Sequence, residues 1–136
     1  MQNNSSASHN QIKELCMNRI HAPNDFNEFA NALLALGVIR QTYDVLVNSL
    51  YFYAPDNLMY HLPLSDIEEG SQLVIGDKLE IHKVKEAIEN IDKGKLSVFE
   101  FHREIARAGI VYVSVFLNNK AIYYLSQNGE YYLEKY

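Results

Sequence analysis

Hydrophobic positions recur at helical spacing in four stretches of the chain and alternate with polar ones in six shorter runs. Residues 10–20 place Ile12, Leu15, Cys16 and Ile20 near one face, which predicts an amphipathic helix. "HAPND" ends it, because Pro23 has no N–H and disfavours helix at the residue before it. A second helix is predicted over 26–36, with Phe26, Phe29, Leu33 and Leu36 inward and Gly37 as its left-handed stop. Three extended runs follow, "VIRQTYDVLV", "LYFYA" and "LMYHL", with turns at Asn48-Ser49 and "APDN". After an acidic loop and the short run "LVI", the pattern restarts. A helix over 78–93 buries Ile81, Val84, Ile88 and Ile91, and another over 98–108 buries Val98, Phe101, Ile105 and Ala108. "IVYVSVFL", "AIYYLS" and "EYYLEKY" close the chain as a meander, with two-residue turns expected at Asn118-Asn119 and Asn128-Gly129. The order is ααβββ written twice. The expected fold class is α+β, two layers, with an antiparallel sheet packed on helices.

The two halves also share residues. Positions 25–61 align on 97–133 without a gap, and the pairs Glu28/Glu100, Phe29/Phe101, Gly37/Gly109, Tyr51/Tyr123 and Tyr60/Tyr132 are identical. "DFNE" and "SVFE" read as capping boxes, in which the first side chain accepts from the helix's first turn and the Glu reaches back. "DKLE" at 77–80 follows the same pattern. Glu28 and Glu100 are therefore cap residues rather than a catalytic carboxylate pair. The phenylalanines are core and the glycines are helix stops. The expected organisation is one domain over 1–136, with a frayed tail at 1–9 and pseudo-repeats at about 10–76 and 77–136.

Strand alternation sorts the last meander into two faces. One collects Val111, Val113, Val115, Leu117, Ile122, Tyr124 and Leu133, which suits the helices. The other collects Tyr112, Ser114, Phe116, Tyr123, Leu125, Tyr132, Glu134 and Tyr136, and by the repeat Tyr51, Tyr53 and Tyr60 join it with Arg40 and Asp44. A face this rich in tyrosine has three readings: cross-strand pairing with no partner, self-association as a homodimer, or a protein or small-molecule partner. Tyr51, Tyr60, Tyr112, Phe116, Tyr123 and Tyr132 are the candidate partner-binding residues.

Composition narrows the chemistry. A net charge of −5, with no run of basic residues, argues against a nucleic-acid partner. One cysteine cannot close an intramolecular disulfide, which fits a reducing compartment. No apolar run is long enough to span a membrane and the N-terminus has no signal-peptide pattern, so the expectation is a cytoplasmic protein. No CxxC, HExxH, GxxxxGK or GxSxG motif occurs, and the five histidines lack zinc spacing. No catalytic residue, metal ligand or cofactor is assigned. His102 stands out because it occupies the place of Ala30 in the first repeat. With Arg103 and tyrosine hydroxyls it would line a cleft between the repeats, which is the alternative reading: a small enzyme or ligand-binding protein. The leading reading is a non-catalytic binding or interaction module.

"GKLSVFEFHREIARAGI" at 94–110 resembles an uncharacterised bacterial family typified by YbcV and sometimes labelled phage envelope protein. The Gly-Lys, the Phe seven residues after that Gly, and the Ala-Gly-hydrophobic ending carry the likeness. "DFNEFANALLALGV" is similar to the family's earlier helix and "YYLSQNGEYYLEKY" to its closing hairpin. The resemblance implies a small bacterial cytoplasmic protein, with no activity attached. Members often carry cysteine where this chain has His102 and Ile105, so any thiol or metal role in the family does not carry over.

Overall fold

The computed structural model describes residues 5–21, 25–67 and 73–136. Its elements run α1 (Ser5–His21), α2 (Phe26–Ala35), β1 (Arg40–Asp44), β2 (Ser49–Tyr53), β3 (Leu58–Pro63), a 3-10 turn (Leu64–Asp66), α3 (Ile81–Asp92), α4 (Val98–Arg107), β4 (Ile110–Phe116), β5 (Ala121–Ser126) and β6 (Tyr131–Lys135). The ααβββ order is repeated and the fold is α+β. All six strands form one antiparallel sheet in the order β3-β2-β1-β4-β5-β6. Both repeats therefore share a single sheet, joined at β1 and β4.

The join is symmetric. Thr42 on β1 lies directly opposite Ser114 on β4, and these two residues are themselves 72 positions apart, the offset of the repeat. A pseudo-twofold axis thus passes through the sheet at this pair. The same offset relates α2 to α4, and it relates the turn residues Asn48 and Lys120, whose φ angles are 49° and 50°. Below the sheet, the core gathers residues from both halves, including Ile12, Leu33, Phe52, Val84, Ile105 and Leu117. Each repeat alone would leave one strand edge and half of this apolar surface in water.

The caps differ between the halves. Ser97 and Glu100 form the reciprocal box, with both bonds made at 3.1 and 2.8 Å. Asp25 accepts from the Glu28 N–H at 3.3 Å. The box expected at 77–80 does not form. Glu80 takes the cap position without a side-chain bond, and α3 starts only at Ile81, which is consequently exposed. The preceding backbone is committed elsewhere: the Gly76 and Glu80 N–H groups donate to the carbonyls of Ala106 and Ala108 at the end of α4. Gly109 sits against this segment at φ +95°, where a Cβ would collide with the Lys78 carbonyl. α1 in turn begins at Ser5, so Ser5–His9 extend the helix instead of forming a tail. The Pro23 break and the acidic stretch at 68–72 lie outside the described residues.

The faces assigned to β6, to Tyr136 beyond it and to Tyr60 change. Tyr132 pairs with Tyr124, and Lys85 of α3 sits over its ring at 5.6 Å, so it lies on the helix side. Glu134 follows it, accepting from the Tyr124 hydroxyl at 2.8 Å. The reason is the hairpin: Ser126 N–H donates to the Glu130 carbonyl, leaving Gln127, Asn128 and Gly129 as a three-residue loop with Gly129 at φ +88°. One extra loop residue shifts the register by one and exchanges the faces of β6. Tyr131 and Leu133 therefore join the open face, and Tyr136 packs under the sheet against Phe26. By the same register Tyr60 pairs with the fully buried Phe52 and packs on the core, beside His9. In the first hairpin the turn occupies 45–48 rather than Asn48-Ser49. The Asp44 carboxylate accepts from the Leu46 N–H at 3.0 Å and holds the chain in a turn.

Candidate functional site

Between the helices and the sheet lies a cavity of about 420 Å³, placed on the pseudo-twofold axis. Equivalent residues of the two repeats line it in pairs: Cys16 and Ile88, Arg19 and Ile91, Ile20 and Asp92, Phe29 and Phe101, Gln41 and Val113, Leu64 and Tyr136. Its polarity is one-sided within each pair. Five polar side chains enter where the other repeat has an apolar one: Arg19 against Ile91, Asp92 against Ile20, Gln41 against Val113, Tyr136 against Leu64, and His102 against Ala30; Asp25 is different, its equivalent being the cap residue Ser97. The architecture evidently folds with an aliphatic group at each place, so folding does not call for the polar one.

Four buried polar atoms around this cavity have no partner among the described residues: Arg19 Nη1, Gln41 Oε1, His102 Nδ1 and Tyr136 Oη. They come from α1, β1, α4 and the C-terminus. A buried polar group left unpaired costs about 1–3 kcal/mol. Four together approach the whole stability of a small domain, about 5–15 kcal/mol.

Burial also sets the protonation states. It pushes the Arg19 guanidinium down to about 10, against the pull of Asp92, Tyr124 and Asp25, so Arg19 remains a cation at neutral pH. Arg19 is held over the Phe26 and Phe29 rings at 5.2 and 5.9 Å and makes no ion pair among the described residues. Burial lowers His102 to about 3, with the positive charges of Arg19 and Arg103 adding to the effect, so its imidazole is neutral. That ring stacks on Tyr43 at 3.9 Å. Asp92 and Glu134 at the cavity mouth are both raised by burial, opposed by Arg19 and by the Tyr124 hydrogen bond respectively. Cys16 rises to about 12 through burial and stays a protonated thiol.

The expected cleft residues are thus partly assembled. His102, Tyr43, Tyr124 and Tyr136 line the cavity, with the Tyr43 and Tyr124 hydroxyls donating to Asn48 and Glu134, whereas Arg103 is not among its lining residues. Arg19, Gln41 and Asp92 were not foreseen. Their signal was present: Arg19 falls on the apolar stripe of α1, where the repeat has isoleucine.

The opposite face of the sheet carries Tyr51, Tyr112, Phe116 and Tyr123. Tyr51 stacks on His61 at 4.5 Å and Phe116 meets Tyr123 edge-on at 5.6 Å. Tyr112, Phe116 and Tyr123 share a shallow groove with Arg40, Ser114 and Lys135. Tyr60 and Tyr132 are not part of this surface.

Among the described residues, no group of three His, Cys, Asp or Glu side chains could hold a metal ion, and no helix is long and apolar enough to cross a membrane. Fold and cavity define an α+β protein with a partly open, mixed-polarity pocket between two structural repeats. The chain belongs to the family described as Protein of unknown function (DUF1398), whose model matches residues 64–135, just over half its length. The match begins at Leu64 and so covers α3, α4 and strands β4 to β6 of the shared sheet. No curated protein matches the sequence.

Proposed function

We propose that this protein is a non-catalytic small-molecule-binding protein whose ligand occupies the cavity on the pseudo-twofold axis. The observation that carries the reading is the one-sided polarity of the cavity: Arg19, Gln41, Asp92, His102 and Tyr136 each stand where the other repeat holds an apolar equivalent. Retaining four unpaired buried polar atoms is costly in the free protein and is offset once a ligand supplies partners. A cavity of about 420 Å³ falls within the range of small-molecule sites, which is about 300–1,000 Å³. The absence of a role for catalysis in this proposal follows from the side chains: the Cys16 thiol is protonated, and the neutral His102 stacks on Tyr43 rather than meeting a nucleophile.

The test is a thermal-shift screen with a metabolite library balanced in charge, followed by thiol labelling of Cys16, which lines the cavity. Compounds that raise the melting temperature should slow Cys16 labelling. A library with no hit, or hits that leave the labelling rate unchanged, overturns the reading.

The open sheet face supports a second reading, an interaction surface for a protein partner or a second copy of the chain. Tyr131 and Leu133 are exposed beside the Tyr112–Phe116–Tyr123 groove. Light scattering across a wide concentration range, with Tyr123→Ser as control, tests it. A monomer at every concentration, with no association that the substitution abolishes, removes it. The YbcV-like likeness and a bacterial, cytoplasmic setting, in a single domain, belong to the same proposal.

A further inference from the structure

We infer that the ligand is a small zwitterion with an apolar body, of the chemical class of a free α-amino acid, its carboxylate on Arg19 and its ammonium group on Asp92. The inference rests on the cavity reading above and names the ligand's class.

The argument starts from two charges that face one cavity without neutralising each other. Arg19 and Asp92 each feel the other's field, yet they form no ion pair, and Arg19 Nη1 has no hydrogen-bond partner among the described residues. A buried guanidinium has five donors and no acceptor, so what it lacks is an anion, best met by a planar carboxylate in two parallel bonds. A simple anion would meet an unfavourable mouth. Asp25, Asp92 and Glu134 line the cavity against Arg19 and Lys135, three carboxylates to two cations. Burial holds both Glu134 and Asp92 above the usual carboxylate range, opposed by Arg19 at Asp92 and by the Tyr124 hydrogen bond at Glu134, and the Asp92 charge raises Glu134 further. A ligand that brings both signs resolves the conflict: its anion answers Arg19 and its cation answers the carboxylates. Glu134 accepts from the Tyr124 hydroxyl and Asp25 from the Glu28 N–H, so Asp92 is the lining carboxylate with no hydrogen bond among the described residues and the one an ammonium group would answer. A dianionic phosphate is disfavoured by the same three carboxylates.

The rest of the wall fits the body of such a molecule. Phe29, Ile88, Phe101, Ile105, Val113 and Ile122 present aliphatic and aromatic surface. Gln41 Oε1 needs a donor, and an ammonium group or a side-chain hydroxyl supplies one. The arrangement also explains why the polar residues fall on both repeats. Arg19 comes from the end of α1 and Asp92 from the end of α3, at neighbouring places in the repeat, 19 and 20 of one half corresponding to 91 and 92 of the other. One half reads Arg-Ile and the other Ile-Asp, so the pseudo-twofold axis sets opposite charges on opposite sides of one chamber.

The experiment is calorimetric titration of the intact protein with the common L-amino acids, followed by matched analogues of the tightest one that lack either charge. For L-phenylalanine these are 3-phenylpropionate, without the amine, and phenethylamine, without the carboxylate. Each analogue is expected to bind at least about tenfold more weakly, the loss of one charge-assisted contact. Arg19→Met should make the amino acid bind no better than its amine analogue, and Asp92→Asn no better than its acid analogue. Asp92 is exposed, so Asp92→Asn folds without difficulty, and the analogue ratios in the unaltered protein stand without either variant. Acid analogues that bind as tightly as the amino acids, or amine analogues that do, overturn the inference. Failure of every amino acid overturns it too; the cavity reading then survives if other library compounds protect Cys16, and falls with it if none does.

Discussion

Acidification from pH 7 to pH 5 should destabilise this protein chiefly through His102. The folded state holds its imidazole at about 3, mainly through burial, whereas the unfolded chain returns it to about 6.5. The charged groups facing it are Arg19 from α1 and Arg103 from its own helix; Tyr43 packs on its ring and contributes no charge. Between those two values only the unfolded state takes up the proton, so stability is full above pH about 6.5 and falls steadily as pH drops toward 3. At pH 5 the difference is roughly 1.5 pH units, or about 2 kcal/mol at about 1.4 kcal/mol per unit. His102→Phe keeps the stack on Tyr43 and removes the titration, and the unpaired Nδ1 goes with it. Urea denaturation of both proteins at pH 7 and pH 5 isolates the effect. Asp92 and Glu134, raised in the folded state, act in the opposite sense on acidification, but they are present in both proteins and cancel in the comparison. The variant should gain about 2 kcal/mol on the parent between the two pH values. A stability difference that stays constant from pH 7 to pH 5 refutes the reasoning and means that His102 is not kept neutral by its surroundings.

Other consequences are local. Ser97→Ala removes the accepting half of the reciprocal cap on α4 and should lower unfolding stability by about 1 kcal/mol, with no effect on ligand binding. Gly109→Ala places a Cβ at a positive φ and against the Lys78 carbonyl, so chemical denaturation should show a loss of more than about 1 kcal/mol. Cys16, held up to about 12, should react slowly with a small thiol reagent at pH 8 through the cavity it lines, at a rate that urea below the unfolding transition leaves unchanged; a rate that tracks unfolding would mean that only the open chain reacts.

The sequence displayed the fold more fully than the site, for a physical reason. Helical and alternating periodicities are repeated over many residues, so α2 and α4, written 72 positions apart, could each be read from Phe26/Phe29/Leu33 and Val98/Phe101/Ile105. Register hangs on single residues. Counting Gln127 into the last loop moves Tyr132 and Glu134 from the open face to the helix side, and nothing in "SQNGE" states which count applies. The start of α3 depended on a contact remote in sequence, the bonds of Gly76 and Glu80 to the end of α4, which no local capping pattern encodes. The cavity is harder still, because Arg19, Gln41, His102 and Tyr136 meet only through the pseudo-twofold packing. His102 was visible as a break in the repeat. Arg19 was equally visible as a charge on an apolar stripe, but only once α1 is aligned on α3, beyond the gapless stretch in which identical pairs drew attention.

The most direct test of the cavity as the binding site is a methyl-detected NMR titration of the isotope-labelled protein. The titrant is the library compound that raises the melting temperature most. Shifts of the Ile91, Ile105, Val113 and Ile122 methyl groups, with Leu125 and Leu133 on the open sheet face unmoved, are the predicted result. Shifts at Leu125 and Leu133 with the cavity methyls still would contradict the account and transfer function to the aromatic face.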